Sequence, residues 1–172
     1  MTKDKGQKVE GLGTYAELMP QEVWTEVYPN LFMGGTDEDD IVGMPEVEPR
    51  ITKQDFDTVV TLHAWSNPVD WHVREFRQHF LDGEVTEFNE EELKFLVDFV
   101  NYELDLGKNV LIRCLSGLNR SGLLTTMVLM SRGYSARETI DHLREVRSRL
   151  VLCNKDYEAW LLEKDLEKEG TN

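Results

Sequence analysis

The segment VLIRCLSGLNRSG, residues 110–122, constrains this chain more than any other stretch. Val110, Leu111 and Ile112 form a short apolar run that predicts a buried strand. After Arg113 come seven residues, Cys114 to Arg120. Ser121 then opens an apolar helix carrying Leu123, Leu124, Met127, Val128 and Met130, with Gly133 as its stop. A buried strand that passes through one tight turn into a buried helix requires a helix packed on a sheet. The same turn leaves a cysteine at the end of the strand and an arginine at the start of the helix.

Each part of the turn suits one chemistry. The thiolate of cysteine is the nucleophilic form. A loop curling onto a helix N-terminus aims several backbone N–H groups at one point, which binds a phosphate dianion and favours a thiolate. Gly117 permits the curve. Arg120 presents a planar fork to two phosphate oxygens, and its grip strengthens as charge shifts in the transition state. Ser121 can donate a hydrogen bond to the sulfur. Leu115, Ser116, Gly117, Leu118, Asn119 and Arg120 are therefore the predicted phosphate-binding residues, and Cys114 the predicted nucleophile. A cysteine ending a buried strand is ordinarily an inert core residue. The complete string, C-x-x-x-x-x-R with a central glycine and a hydroxyl after the arginine, argues for the functional reading.

The rest of the chain supplies a single α/β domain. Val27 and Leu31–Met33 have strand character, split by the turn pair Pro29-Asn30. Residues 36–50, TDEDDIVGMPEVEPR, are expected to be a solvated acidic loop without the spacing of an EF-hand calcium site. Thr58–Leu62 predicts a buried strand. Trp71, Phe76 and Phe80 suggest one face of a short helix, and Asp82-Gly83 a turn. Asn89 caps a helix with the stripe Leu93, Leu96, Val97, Val100 and Leu104, ending at Gly107. Ser135 and Glu138 form a capping box for a helix bearing Ile140, Leu143 and Val146. Asn154 caps a last helix with Tyr157, Trp160 and Leu161, and EKDLEKEGTN is expected to fray into solvent. The boundaries so drawn are a polar lead-in over 1–22, one catalytic domain over 23–165, and a polar tail over 166–172.

Composition narrows the function. Asp and Glu number 33 against 19 Lys and Arg, a formal charge of −14 over 172 residues. Such a chain repels nucleic-acid backbones and anionic membranes at long range, while screening leaves a local anion pocket possible. No apolar run approaches the roughly 20 residues of a membrane span, and the polar start lacks a signal-peptide core. Two cysteines, Cys114 and Cys153, are too few for a disulfide scaffold. A reducing, cytoplasmic location is expected. His63, His72, His79 and His142 show no metal-ligand spacing, so neither metal nor cofactor is expected. Cys153 is either a resolving thiol that protects Cys114 or, the plainer reading, a small apolar residue.

At these residues the chain resembles the protein tyrosine phosphatase superfamily, and most closely its compact dual-specificity branch, over roughly residues 24 to 162. WTEVYPNLFMGG is similar to that branch's opening strand pair, DFDTVVTL to the strand before its general-acid loop, CLSGLNRSG to its phosphate-binding loop, and SRLVLCNKDYEAWL to its closing segment. The resemblance implies a central, mostly parallel sheet flanked by helices, and two-step hydrolysis through a phosphocysteine. It also points to Asp82, 32 positions before Cys114, as the acid that protonates the leaving group. Asp70, Glu84 and Glu87 are competitors. One departure stands out: the family usually has histidine before the nucleophile, and here Arg113 stands there. Its cation either favours the thiolate or points away.

The variable loop positions Leu115, Ser116, Leu118 and Asn119 are not basic. A phosphoinositide phosphatase would profit from lysines there, and an RNA 5′-phosphatase from a basic approach surface. Arg74, Arg77, Arg144 and Arg147 are the residues that could build such a patch. Phosphorylated tyrosine, serine or threonine in a protein is the leading substrate class, with Tyr15, Trp65 and Trp71 as candidate cleft residues. A sulfur-transfer or arsenate-reducing enzyme, or a phosphate-binding module with weak or no catalysis, are the alternatives.

Overall fold

The computed structural model describes residues 8–9, 13–43 and 49–169. Two short strands, β1 (Lys8–Val9) and β2 (Gly13–Thr14), pair antiparallel. Thr14 then caps the single-turn helix α1 (Tyr15–Leu18) through a reciprocal capping box with Glu17. Tyr15, Leu18 and Met19 pack against the main core, so the second half of the polar lead-in is part of the packed body.

Pro29-Asn30 makes the expected turn, with Asn30 in the left-handed region (φ 62°), between β3 (Trp24–Tyr28) and β4 (Leu31–Gly34). These strands form the antiparallel edge of a five-stranded sheet. The next strands are β5 (Thr58–Thr61), β6 (Arg74–Arg77) and β7 (Val110–Arg113). Their order is β3-β4-β7-β5-β6, and β4, β7, β5 and β6 are mutually parallel. The central strand β7 is buried at every position, as a run of apolar residues in a parallel sheet should be.

Successive side chains alternate between the two faces, and the faces are covered differently. Met33, Val60, Val110 and Ile112 join a core with residues of α2 (Glu90–Asp105), α3 (Arg120–Ser131), α4 (Ala136–Val146) and α5 (Lys155–Glu169). Phe32, Val59 and Leu111 face a second cluster built from Ile51, Phe56, Val69 and Val73, which lie in the connections before β5 and β6. Cys114 therefore falls on the helix side and Arg113 on the side of the connecting segments.

Three local expectations change. Residues 71–80 form no helix: Arg74–Arg77 is an edge strand, Phe80 is buried and Trp71 is 86% exposed. Three aromatic residues in ten resembled a helical stripe, but Phe76 instead packs on Phe95 and Phe99 of α2 from the strand. The C-terminal segment does not fray from residue 163, because α5 runs on to Glu169. In the acidic loop, Asp40 is 3% exposed and Ile41 pairs with Ser66, so this stretch is anchored rather than merely solvated. Residues 44–48 of that loop lie outside the described residues.

Helices α4 and α5 are tied together at Glu158. Its carboxylate accepts from Arg144 (2.9 Å) and Lys155 (2.7 Å). Arg144 also donates to the carbonyls of Val151 and Leu152, fixing the connection between the helices. Burial pushes the Glu158 carboxyl up, but the bonds from Arg144 and Lys155 outweigh it and hold it at about 2, below the ordinary 4.5. The stabilisation is thus complete above the unfolded value and is lost as pH falls toward 2. Glu158→Gln should lower the melting temperature at neutral pH and converge with the wild type as pH drops from 4.5 toward 2, as measured by thermal melts across that range.

Candidate active site

Between β7 and α3 the backbone polarity of residues 114–119 is sorted. Five of the six carbonyls are tied outward. Thr36 Oγ1 donates to the Cys114 carbonyl (2.9 Å) and the Thr36 amide to that of Leu115 (2.8 Å). Arg147 Nε donates to the Gly117 carbonyl (2.8 Å), and the Leu152 amide to that of Leu118 (3.2 Å). The Asn119 carbonyl accepts the Leu123 amide as α3 begins (2.7 Å). By contrast, among the described residues, the N–H groups of Leu115, Ser116, Gly117, Leu118 and Asn119 donate to no protein acceptor. Consecutive unpaired N–H groups ahead of a helix N-terminus form a nest for an anion.

Glycine is required twice here. Gly117 has φ 67°, and a Cβ on it would collide with the Gly34–Gly35 backbone and the Arg147 guanidinium. A Cβ on Gly35 would lie 2.8 Å from the Leu115 carbonyl oxygen. The loop thus rests on the Gly34-Gly35 end of β4. Arg147 supports it from below, and also reaches the Glu22 and Val23 carbonyls and Thr25 Oγ1. Burial pulls Arg147 down to about 10, opposed by attraction to the Cys114 sulfur.

The predicted site residues converge. Cys114 is 1% exposed, and its Sγ lies 3.4 Å from Ser121 Oγ. Arg120 is 6% exposed, and its Nη1 donates to the carbonyls of Leu62 (3.2 Å) and Phe80 (3.1 Å). Its Nε is buried and has no partner. A buried donor without a partner calls for an explanation, and a bound ligand would supply one. His63 is pushed down to about 4, first by burial and then by the Arg120 charge, so it is neutral at pH 7.

Asp82 faces the same loop. Asn119 Nδ2 donates to its Oδ2 (3.1 Å) and Asn154 Nδ2 to its Oδ1 (3.2 Å). Tyr157 secures the segment around it, donating to the Leu81 carbonyl (2.8 Å) and accepting from the Gly83 amide (3.4 Å). Tyr15 is close enough that Cys153 and Asp82, after burial, raise its hydroxyl. Asp70 is eliminated by topology: it precedes β6, at the end of the sheet opposite Cys114, and binds His72. Trp71 lies at that same end and cannot line this site. Glu84 precedes and Glu87 ends a 3-10 turn, and among the described residues neither hydrogen-bonds to the loop.

The four arginines that could build a basic patch are each paired or buried. Arg74 binds Glu103, Arg77 binds Glu75, Arg144 binds Glu158, and Arg147 is buried beneath the loop. Arg113 points away from the sulfur. It is 1% exposed and donates to Thr61 Oγ1 (3.0 Å), Asp40 Oδ2 (2.9 Å), the Asn67 carbonyl (2.5 Å) and Glu75 Oε1 (3.4 Å). The alternation of β7 decides this, since neighbours on a strand face opposite sides. Sequence reasoning missed Thr36 and the Gly34-Gly35 platform, and gave Arg147 and Asn154 other duties. Only the Gly-Gly pair at a strand end signalled a close approach.

Grooves of about 440 Å³ among α2, α3 and α5, and about 660 Å³ beside β3 and α4, contain none of residues 114–121. Among the described residues, no group of His, Cys, Asp or Glu is placed to hold a metal ion. No described helix is long and apolar enough to cross a membrane.

Comparison with known proteins agrees with this architecture. Residues 46–166 match the family model of the dual specificity phosphatase catalytic domain. The chain belongs to that family, and so to the protein-tyrosine/dual-specificity phosphatase hydrolases. No curated protein matches the sequence. Human DUSP28 superposes with a TM-score of 0.71 at 18% identity, covering 88% of this chain and 99% of its own. A mouse putative dual specificity phosphatase complexed with zinc tungstate gives 0.68 at 22% identity, covering 94% and 96%. The human tyrosine phosphatase-like serine/threonine/tyrosine-interacting protein gives 0.68 at 18% identity, covering 84% and 97%.

The Arg113 network carries a stability prediction. Removing one partner of a buried ion network leaves the others uncompensated. Arg113→Ala should cost about 3–5 kcal/mol in urea unfolding, because Asp40 and Glu75 lose their shared cation.

Proposed function

We propose that this chain hydrolyses phosphomonoesters on proteins through a phosphocysteine. The observation that carries the reading is the row of unpaired N–H groups from Leu115 to Asn119, set between the Cys114 sulfur and the unpartnered Nε of Arg120. The nest and the arginine bind the phosphoryl oxygens. The Cys114 thiolate attacks phosphorus, and the P–O bond to the leaving group breaks with its electron pair going to oxygen. Asp82 gives that oxygen a proton. In the second step water attacks phosphorus and yields a proton to Asp82. The S–P bond breaks, and the sulfur departs as a thiolate stabilised by Ser121 Oγ. The products are the free hydroxyl and inorganic phosphate.

The substrate is a phosphorylated tyrosine, serine or threonine side chain. Arg74, Arg77 and Arg144 are each paired with an acid and Arg147 is buried, and the chain carries −14. Polyanionic RNA and phosphoinositide headgroups meet repulsion from that net charge. Leu115 at the loop, 46% exposed, offers apolar contact to a peptide. The tungstate in the mouse protein is a tetrahedral oxyanion like phosphate.

Hydrolysis of an aryl phosphate tests the reading. Cys114→Ser should reduce it to background. Asp82→Asn should lower kcat by about 10²–10⁴ while leaving vanadate affinity within about threefold, since the nest is untouched. Hydrolysis that survives Cys114→Ser would remove the phosphocysteine. Phosphopeptide binding without turnover in the wild type would make this a binding module.

A further inference from the structure

The side chain of Asn119 stands between the phosphate loop and the segment carrying Asp82. Its Oδ1 accepts from the Asn154 backbone amide (3.0 Å) and from Cys153 Sγ (3.5 Å). A backbone N–H only donates, so this contact fixes which end of the carboxamide is oxygen. The Nδ2 end is thereby turned onto Asp82 Oδ2 at 3.1 Å. Asn154 repeats the arrangement. Its Oδ1 accepts from the amides of Asp156 (3.1 Å) and Tyr157 (3.5 Å), and its Nδ2 donates to Asp82 Oδ1 (3.2 Å) and the Gly83 carbonyl (2.7 Å). Each Asp82 oxygen thus takes one hydrogen bond from a carboxamide oriented by the start of α5. Each keeps a further lone pair, so the carboxyl can carry a proton while held.

We propose that Asn119 is a positioning residue for proton delivery. Its backbone lies in the anion nest, and its side chain sets where the Asp82 carboxyl stands over that nest. Asp82 is itself exposed and beside Gly83, so without these bonds it would sample several rotamers. The two amides restrict it from both oxygens. Because Asn119 directly precedes Arg120, the phosphate clamp and the proton donor are held as one unit. The inference rests on Asp82 being the general acid.

Leaving-group dependence separates positioning of the acid from general damage. Dinitrophenolate departs readily without a proton, whereas phenolate requires one. For Asn119→Ala, kcat on phenyl phosphate should fall at least about tenfold more than on dinitrophenyl phosphate, with vanadate affinity within about threefold. In an Asp82→Asn background, Asn119→Ala should add no further leaving-group selectivity, because the group it positions is gone. Should the alanine variant fail to melt cooperatively, Asn119→Ser is measured instead. Equal loss on both esters, or selectivity that persists in the Asp82→Asn background, overturns the role of Asn119 while the acid stands. An Asp82→Asn variant with no leaving-group selectivity removes the acid itself, and the proposal with it.

Discussion

The structure around the site depends on five carbonyl bonds that turn the backbone of residues 114–119 one way. A peptide loop ordinarily presents donors and acceptors in equal number. Here Thr36, Arg147 and the Leu152 and Leu123 amides take five of the six acceptors, and the donors of residues 115–119 are left without a protein partner among the described residues. These anchors come from β4's exit, the end of α4, the α4–α5 connection and α3. The row of unpaired donors is therefore a product of four separate segments, and the short loop does not create it alone. The Glu158 network belongs to the same support, since Arg144 fixes the two carbonyls beside the amide that holds Leu118.

Arg113 shows how one strand position serves two structures. Cys114 continues β7 toward the helix side, and Arg113 turns to the other face, where it joins the acidic segment at Asp40, the β5 side chain Thr61 and the β6 side chain Glu75. The charges largely cancel: Arg113 and Arg77 meet Asp40 and Glu75. Burial lowers Arg113 while the two acids raise it, and burial raises Asp40 while Arg113 lowers it. The residue that departs from the family's usual histidine thus fastens the loops on the far face. Ser66, in hydrogen-bond contact with Thr36 and His63, links those loops back to the phosphate loop.

Much of this was legible in the sequence where the signal was local. The strand–turn–helix of 110–131, the hairpin at Pro29-Asn30, the Asn89 cap and the Ser135-Glu138 box all follow from neighbours within a few positions, and all are present. The failures have a common cause. Trp71, Phe76 and Phe80 were spaced as a helix, yet Phe76 finds its packing partners on α2, about twenty positions away. The acidic loop looked solvated because nothing nearby announces the buried arginine that Asp40 meets 73 positions later.

The sequence by itself determined which groups are available: a cysteine and an arginine bracketing a tight turn, a hydroxyl after it, and no surplus of positive charge. It determined the strand and helix on either side, because apolar periodicity and caps act over a few residues. Only the tertiary structure decided where the loop's carbonyls go, which way Arg113 faces, and which of several acids meets the loop. Those outcomes depend on contacts between segments 30 to 125 residues apart, and hydrogen-bond geometry of a few ångströms cannot be read from spacing along the chain.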